Sequence, residues 1–273
     1  MASTPERYPS VNDIPAFGLG TWENEDPDQC ADSVATAIEA GYRHIDTAQI
    51  YGNEAAVGAG IARADVPREE LFVATKVWID QLNHDDVIAS TEESLEKLGL
   101  DHVELLYVHW PADAYDPADT LPAFETLRER GLIDRIGVSN FEPRHLDRAR
   151  EVLDTPIAAN QVECHPLLPQ EELRAYADTH DHALVAYSPL ARGAVLEDPT
   201  IQAVAERNDA TPAQVSLAWL LEKGAVPIPK ATSGAHIKEN IGALECALSA
   251  EDIAEIDAID RRSRQVDPDF APW

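Results

Sequence analysis

The chain has 273 residues, 44% of them hydrophobic, which fits one large α/β domain or two small ones; a single domain spanning 1–273 is expected. Its net charge of -29 and pI near 4.4 exclude the basic surface that nucleic acid or an anionic membrane requires. The acidic residues are spread along the chain, which marks a solvated face and not a disordered tail.

Short apolar runs alternate with longer amphipathic ones. The strand candidates are Phe17–Trp22, Arg43–Ala48, Leu71–Trp78, Val103–His109, Ile133–Asn140, Ile157–Glu163, Ala183–Leu190 and Ala225–Ala231. Helical spacing fills the gaps, for example over Cys30–Ala40, Val87–Leu98, Leu121–Arg130 and Glu171–Thr179. Thr211-Pro212-Ala213-Gln214 reads as a helix start, with a capping box and proline at the first helical position. Gly41, Gly99, Gly131 and Gly224 stand where helices should stop. Met1–Asn12 reads as loose chain. Eight strand–helix units predict a (β/α)8 barrel. The rival is a doubly wound sheet, but Gly18-Leu19-Gly20 does not complete a GxGxxG turn and Gly58-Ala59-Gly60 lies inside a helix.

Barrel active sites form at the carboxyl ends of the strands. Asp46, Lys76 and His109 fall at or near the ends of the second, third and fourth predicted strands, and Tyr51 lies in the loop after the second. Taken singly, Tyr51 reads as a helix-start aromatic, Asp46 as a turn cap, Lys76 as a snorkelling strand-end lysine and His109 as a core histidine. Together they form a proton donor. A phenol's usual pKa near 10 is too high for the task, so Lys76 is expected to lower it, with Asp46 holding Lys76 and His109 directing a carbonyl toward Tyr51.

These four residues, in the segments Gly41–Gly58, Leu106–Pro111 and Gly137–Phe141, resemble the aldo-keto reductases, and the likeness runs from Phe17 to the final Pro-Trp. It is nearest to small prokaryotic members such as the 2,5-diketo-gluconate reductases. The resemblance implies catalytic Asp46, Tyr51, Lys76 and His109, and a hydride from NADP(H) or NAD(H). It assigns Ser139, Asn140 and Gln161 to the nicotinamide carboxamide, Tyr187 to the ring face, and Ser188 and Leu190 to the cofactor loop. Lys230, Ala231, Thr232, His236, Glu239 and Asn240 match its phosphate and adenine site. The chain departs from the pattern at Ala231, usually serine, and at His236, usually arginine. An imidazole cannot make an arginine's bidentate phosphate contact, so NADH or dual use stands beside NADPH. Trp22, Trp78 and Trp110 match aromatic wall positions around a small carbonyl substrate. No hairpin like the family's usual N-terminal one is marked.

Two other functions fit the same residues: NAD(P)+-dependent oxidation of an alcohol or sugar, and a non-catalytic, cofactor-bound regulatory barrel. A metal hydrolase is weaker, because Cys164-His165 is isolated and His180 and His182 lack a ligand set. Cys30, Cys164 and Cys246 form no CxxC pair and read as reduced thiols. No apolar stretch suggests a signal peptide or membrane span, so a cytoplasmic monomer or weak dimer is expected. Five lysines against sixteen arginines, with the heavy acidic excess, suggest a halophile's cytoplasm. At about 1 M salt the Debye length is only about 3 Å and carboxylate repulsion is screened.

Overall fold

The computed structural model describes residues 9–273; most of the segment expected to be loose lies outside them. The described chain opens with a correction. Ser10–Val11 (β1) and Ile14–Pro15 (β2) pair antiparallel as a tight hairpin. Its two-residue turn, Asn12-Asp13, takes positive φ at both positions, the primed-turn geometry that suits Asn and Asp. Two-residue strands carry too little alternation to be legible as a pattern.

Eight parallel strands then form the barrel: Gly18–Gly20 (β3), His44–Asp46 (β4), Phe72–Val77 (β5), Val103–Val108 (β6), Ile133–Ser139 (β7), Ile157–Glu163 (β8), Ala183–Tyr187 (β9) and Ala225–Pro227 (β10). All eight fall within the expected runs. Several are shorter because the strand ends turn away to build the mouth. Ser188, before Pro189, adopts φ 45°, which ends β9. Neighbours pair in sequence order, and β3 meets the segment just after β10 through an isolated parallel bridge, Gly20 to Lys230.

Helices α1 (Pro27–Glu39), α2 (Glu54–Arg63), α3 (His84–Leu98), α4 (Pro117–Glu129), α5 (Pro143–Val152), α6 (Glu171–His180), α7 (Pro199–Arg207), α8 (Pro212–Glu222), α9 (Gly234–Ile241) and α10 (Ala250–Asp257) surround the strands. Both predicted halves of the α8 capping box are present, Gln214 N–H to Thr211 Oγ1 at 3.2 Å and Thr211 N–H to Gln214 Oε1 at 3.0 Å. Gly41, Gly99, Gly131 and Gly224 all have positive φ. Gly58 serves a different need. A Cβ there would lie 2.1 Å from the Leu98 carbonyl oxygen, so only glycine lets α2 lie against the end of α3. Strand side chains pack inward around Leu105, Tyr107 and Val185, and outward against the helices around Val73, Leu106 and Val138. No helix among the described residues is long and apolar enough to cross a membrane.

Candidate active site

The loop after β4 is built to hold Tyr51. Gln49–Tyr51 forms one 3-10 turn, stopped by Gly52 in the left-handed region. Asn53 pins it from behind: its amide donates to the Thr21 and Asn24 carbonyls at 2.8 and 3.2 Å, and its Oδ1 accepts from Thr47 Oγ1 at 3.0 Å. Gln49 Oε1 accepts the Trp78 backbone N–H at 3.0 Å. Both anchors lie beside the tyrosine in the sequence, and a polar pair flanking a loop aromatic was the available signal for them.

Lys76 and Asp46 form an ion pair with side chains 0% and 2% exposed. Lys76 Nζ also donates to the Thr47 carbonyl at 2.8 Å and lies 3.5 Å from the Tyr51 hydroxyl. The second Asp46 oxygen accepts Gln161 Nε2 at 2.7 Å. A buried carboxylate thus meets a cation and an amide donor, which offsets its desolvation.

Electrostatics overturn one expectation. Burial, then the Asp46 charge, pushes the Tyr51 hydroxyl well above its usual value near 10, where Lys76 was expected to lower it. The reason is first the burial of the phenol, with the charge of Asp46, paired to the ammonium that faces the phenol, adding to the rise. Burial also lowers Lys76, with Asp46 opposing it, and holds His109 well below 6.5, with Lys76 adding to the effect. Tyr51 is therefore a protonated phenol and His109 a neutral imidazole at neutral pH. His109 lies edge to face with Tyr51 and Trp78, at 5.8 and 5.0 Å between ring centroids. Its Nδ1 is buried with no hydrogen-bond partner among the described residues.

Asp46, Tyr51, His109, Asn140, Gln161, Tyr187, Ser188, Lys230, Trp22, Trp78 and Trp110 line one cavity of about 470 Å³ at the carboxyl ends of the strands. Lys76 backs it through Asp46 and Tyr51. Ser139 sits just behind, its hydroxyl donating to the Gln161 carbonyl at 2.8 Å. The Asn140 side chain is taken up internally: its amide donates to the His109 carbonyl at 3.1 Å, and its Oδ1 accepts the Tyr187 hydroxyl at 2.9 Å. Leu190, Ala231, Thr232, His236, Glu239 and Asn240 do not line this cavity. The last three lie on α9, where the His236 N–H is capped by Ser233 Oγ at 3.2 Å and its side chain is exposed.

Sequence reasoning missed Ile50, Arg192 and a C-terminal segment, all of which line the cavity. Arg192 lies 4.6 Å above the Trp22 ring. Gln265, Val266, Asp267, Pro268 and Phe270 close the far wall, with Phe270 packed on Trp110 at 5.4 Å and on Trp78 at 6.1 Å. Trp273 lies at the rim on Trp110, at 5.5 Å. At the other end of the barrel, His102, Glu104 and Asp134 approach metal-ligating geometry. There Glu104 is already held by Arg68 through two bonds of 2.8 and 2.9 Å.

The model of the Aldo/keto reductase family matches residues 16–261. The methylglyoxal reductase DkgB of Escherichia coli O157:H7 is 42% identical, with 94% of this chain and 97% of that protein covered. The glyoxal reductase of Bacillus subtilis is 42% identical over 92% of this chain and 91% of its own length. Among solved structures, a putative 2,5-diketo-D-gluconic acid reductase B superposes with a TM-score of 0.90 at 38% identity, covering 95% of this chain and 93% of that one.

Proposed function

The chain belongs to the aldo/keto reductase family and is an oxidoreductase of carbonyl compounds, and from that premise we propose that Tyr51 is the proton donor in the reduction of small aldehydes and ketones. The observation that carries the proposal is the Tyr51 hydroxyl, protonated and 3.5 Å from Lys76 Nζ, facing the same cavity as neutral His109. A substrate carbonyl set between the two accepts a hydrogen bond from each. As negative charge builds on its oxygen, the Tyr51 proton moves to it and the ammonium of Lys76 steadies the phenolate left behind. Gln161 and the Thr47 carbonyl keep Asp46 and Lys76 in register with the phenol.

No side chain supplies a hydride, so a nicotinamide nucleotide provides it when bound. The cavity fits such a group. Arg192 and Lys230 are the cationic side chains lining it, in a chain of net charge -29, and phosphates need them. Tyr187 and Trp22 offer aromatic faces to such a group. We assign Lys230, Ser188, Leu190, Ala231, Thr232, His236, Glu239 and Asn240 to the nucleotide. With the exposed His236 at the start of α9 in place of a fixed cation, NADH is used alongside NADPH. Comparing kcat/KM for the two nucleotides tests this, and a preference for NADPH above about 100-fold refutes it.

The substrate class is small 2-oxoaldehydes such as those named for the relatives, in keeping with a cavity of about 470 Å³ walled by Trp22, Trp78 and Trp110. Methylglyoxal turnover by wild type and Tyr51→Phe tests the whole reading. The variant should lose about 10²–10⁴ in kcat while still binding nucleotide, and retention of wild-type kcat would sink the assignment.

A further inference from the structure

The proposed chemistry leaves one fully buried carboxylate unused. Glu163 ends β8, two residues past Gln161 and so on the same face of the strand. Its Oε1 accepts His165 Nε2 at 2.9 Å and the Gln265 backbone N–H at 2.6 Å, and its Oε2 accepts the Val266 backbone N–H at 2.8 Å. Gln265 and Val266 stand about a hundred residues away in sequence and begin the segment that walls the cavity. The Ser263 N–H, donated to the Leu167 carbonyl at 2.9 Å, is a further tie between this segment and the loop after β8.

We propose that Glu163 is a positioning residue for substrate: it clamps the 265–270 strap over the cavity and so sets Phe270 against Trp78 and Trp110. A buried carboxylate is tolerated only when its lone pairs are filled. Two of the three donors here are strap amides, so lifting the strap would leave a dry negative charge with His165 alone. The carboxylate and the closed strap therefore require each other. Val266, Pro268 and Phe270 then present a fixed apolar wall to the carbonyl substrate, while the nucleotide end of the cavity, at Lys230, lies on other elements. The proposal rests on the reductase reading above.

The test is steady-state reduction of phenylglyoxal and methylglyoxal by wild type, Glu163→Gln, Phe270→Ala and the double variant, with NADPH affinity measured separately. In Glu163→Gln the carboxamide NH2 faces a backbone donor and the clamp loosens. KM for phenylglyoxal should rise about tenfold or more, with kcat within about twofold and NADPH affinity unchanged. Phe270→Ala should do the same, and the double variant should be no worse than the poorer single one. Multiplying effects, an unchanged KM, or a parallel loss of kcat and nucleotide affinity would overturn the clamp. Amide exchange of the wild type provides a second readout if Glu163→Gln does not fold: Gln265 and Val266 should be protected, and rapid exchange at both overturns the proposal. A wild type without turnover would refute the reductase reading, with the exchange result still deciding the clamp.

Discussion

Replacing Asp46 by Asn leaves the shape of the site and removes its charge. Lys76 Nζ then keeps the Thr47 carbonyl at 2.8 Å and the Tyr51 hydroxyl at 3.5 Å, but no counter-ion, in a side chain that is 0% exposed. Breaking one side of a buried pair costs about 3–5 kcal/mol. An unfolding entropy of about 2.1 cal/mol/K per residue over 273 residues gives about 0.6 kcal/mol per degree, so the melting temperature should fall by about 5–9 °C. The pH dependence carries a signature. Asp46 is what opposes the burial that lowers Lys76, so its loss lowers the lysine further. A group whose folded pKa is depressed contributes stability above its unfolded value, near 10.4 for lysine, and loses it as pH falls through the folded one. The deficit of Asp46→Asn should therefore shrink as pH rises toward about 10. Calorimetry of wild type, Asp46→Asn, Lys76→Met and the double variant from neutral to alkaline pH measures this, and the double should cost less than the two singles together. A deficit below about 1 kcal/mol, or one independent of pH, would refute the claim that the pair neutralises a buried charge.

His44 is fully buried against Phe72, and burial holds its pKa at about 4. Its stabilising contribution is complete above about pH 6.5 and disappears as pH falls toward 4, a loss of about 3 kcal/mol that His44→Leu should remove from the acid melting profile. Gly58→Ala should destabilise by about 1–3 kcal/mol or more in thermal denaturation, because the new methyl meets a backbone oxygen. Helix propensity alone would give a gain of about 1 kcal/mol, so the sign is decisive. Reductive kcat should show no loss traceable to Tyr51 or His109 between about pH 6 and 9, since one stays protonated and the other neutral; a mid-range inflection that Tyr51→Phe abolishes would count against this. The melting temperature should climb steeply with KCl up to molar concentrations, and a flat profile would argue against adaptation of this acidic surface to salt.

The barrel was legible because each strand is a compact apolar run and four of the helices carry glycine stop signals, at Gly41, Gly99, Gly131 and Gly224. Catalytic candidates were legible because charged residues at the ends of apolar strands are conspicuous. What escaped was built from long-range contacts without local periodicity. Glu163 reads in sequence as one more strand-end acid, and its significance depends on two amides about a hundred residues later. Phe270 sits in a segment with no regular element, so nothing nearby marks it as a wall. The Tyr51 expectation weighed the lysine but not the burial of the phenol, which acts first, nor the charge of Asp46, which adds to it.

The seam of the barrel lies within the cavity itself. Gly20 and Lys230 bridge the first barrel strand to the segment just after the last, aided by the Gly20 N–H donated to the Pro229 carbonyl at 3.2 Å. A Cβ on Gly20 would stand 2.7 Å from the Ile228 carbonyl oxygen, so any side chain there would pry the joint open. A phosphate held by Lys230 would rivet this joint from above. Ligand occupancy at 100 times the dissociation constant would be worth about 2.7 kcal/mol to the folded state. Cellular nucleotide supply would then act as a fastener for the architecture as well as fuel for its chemistry.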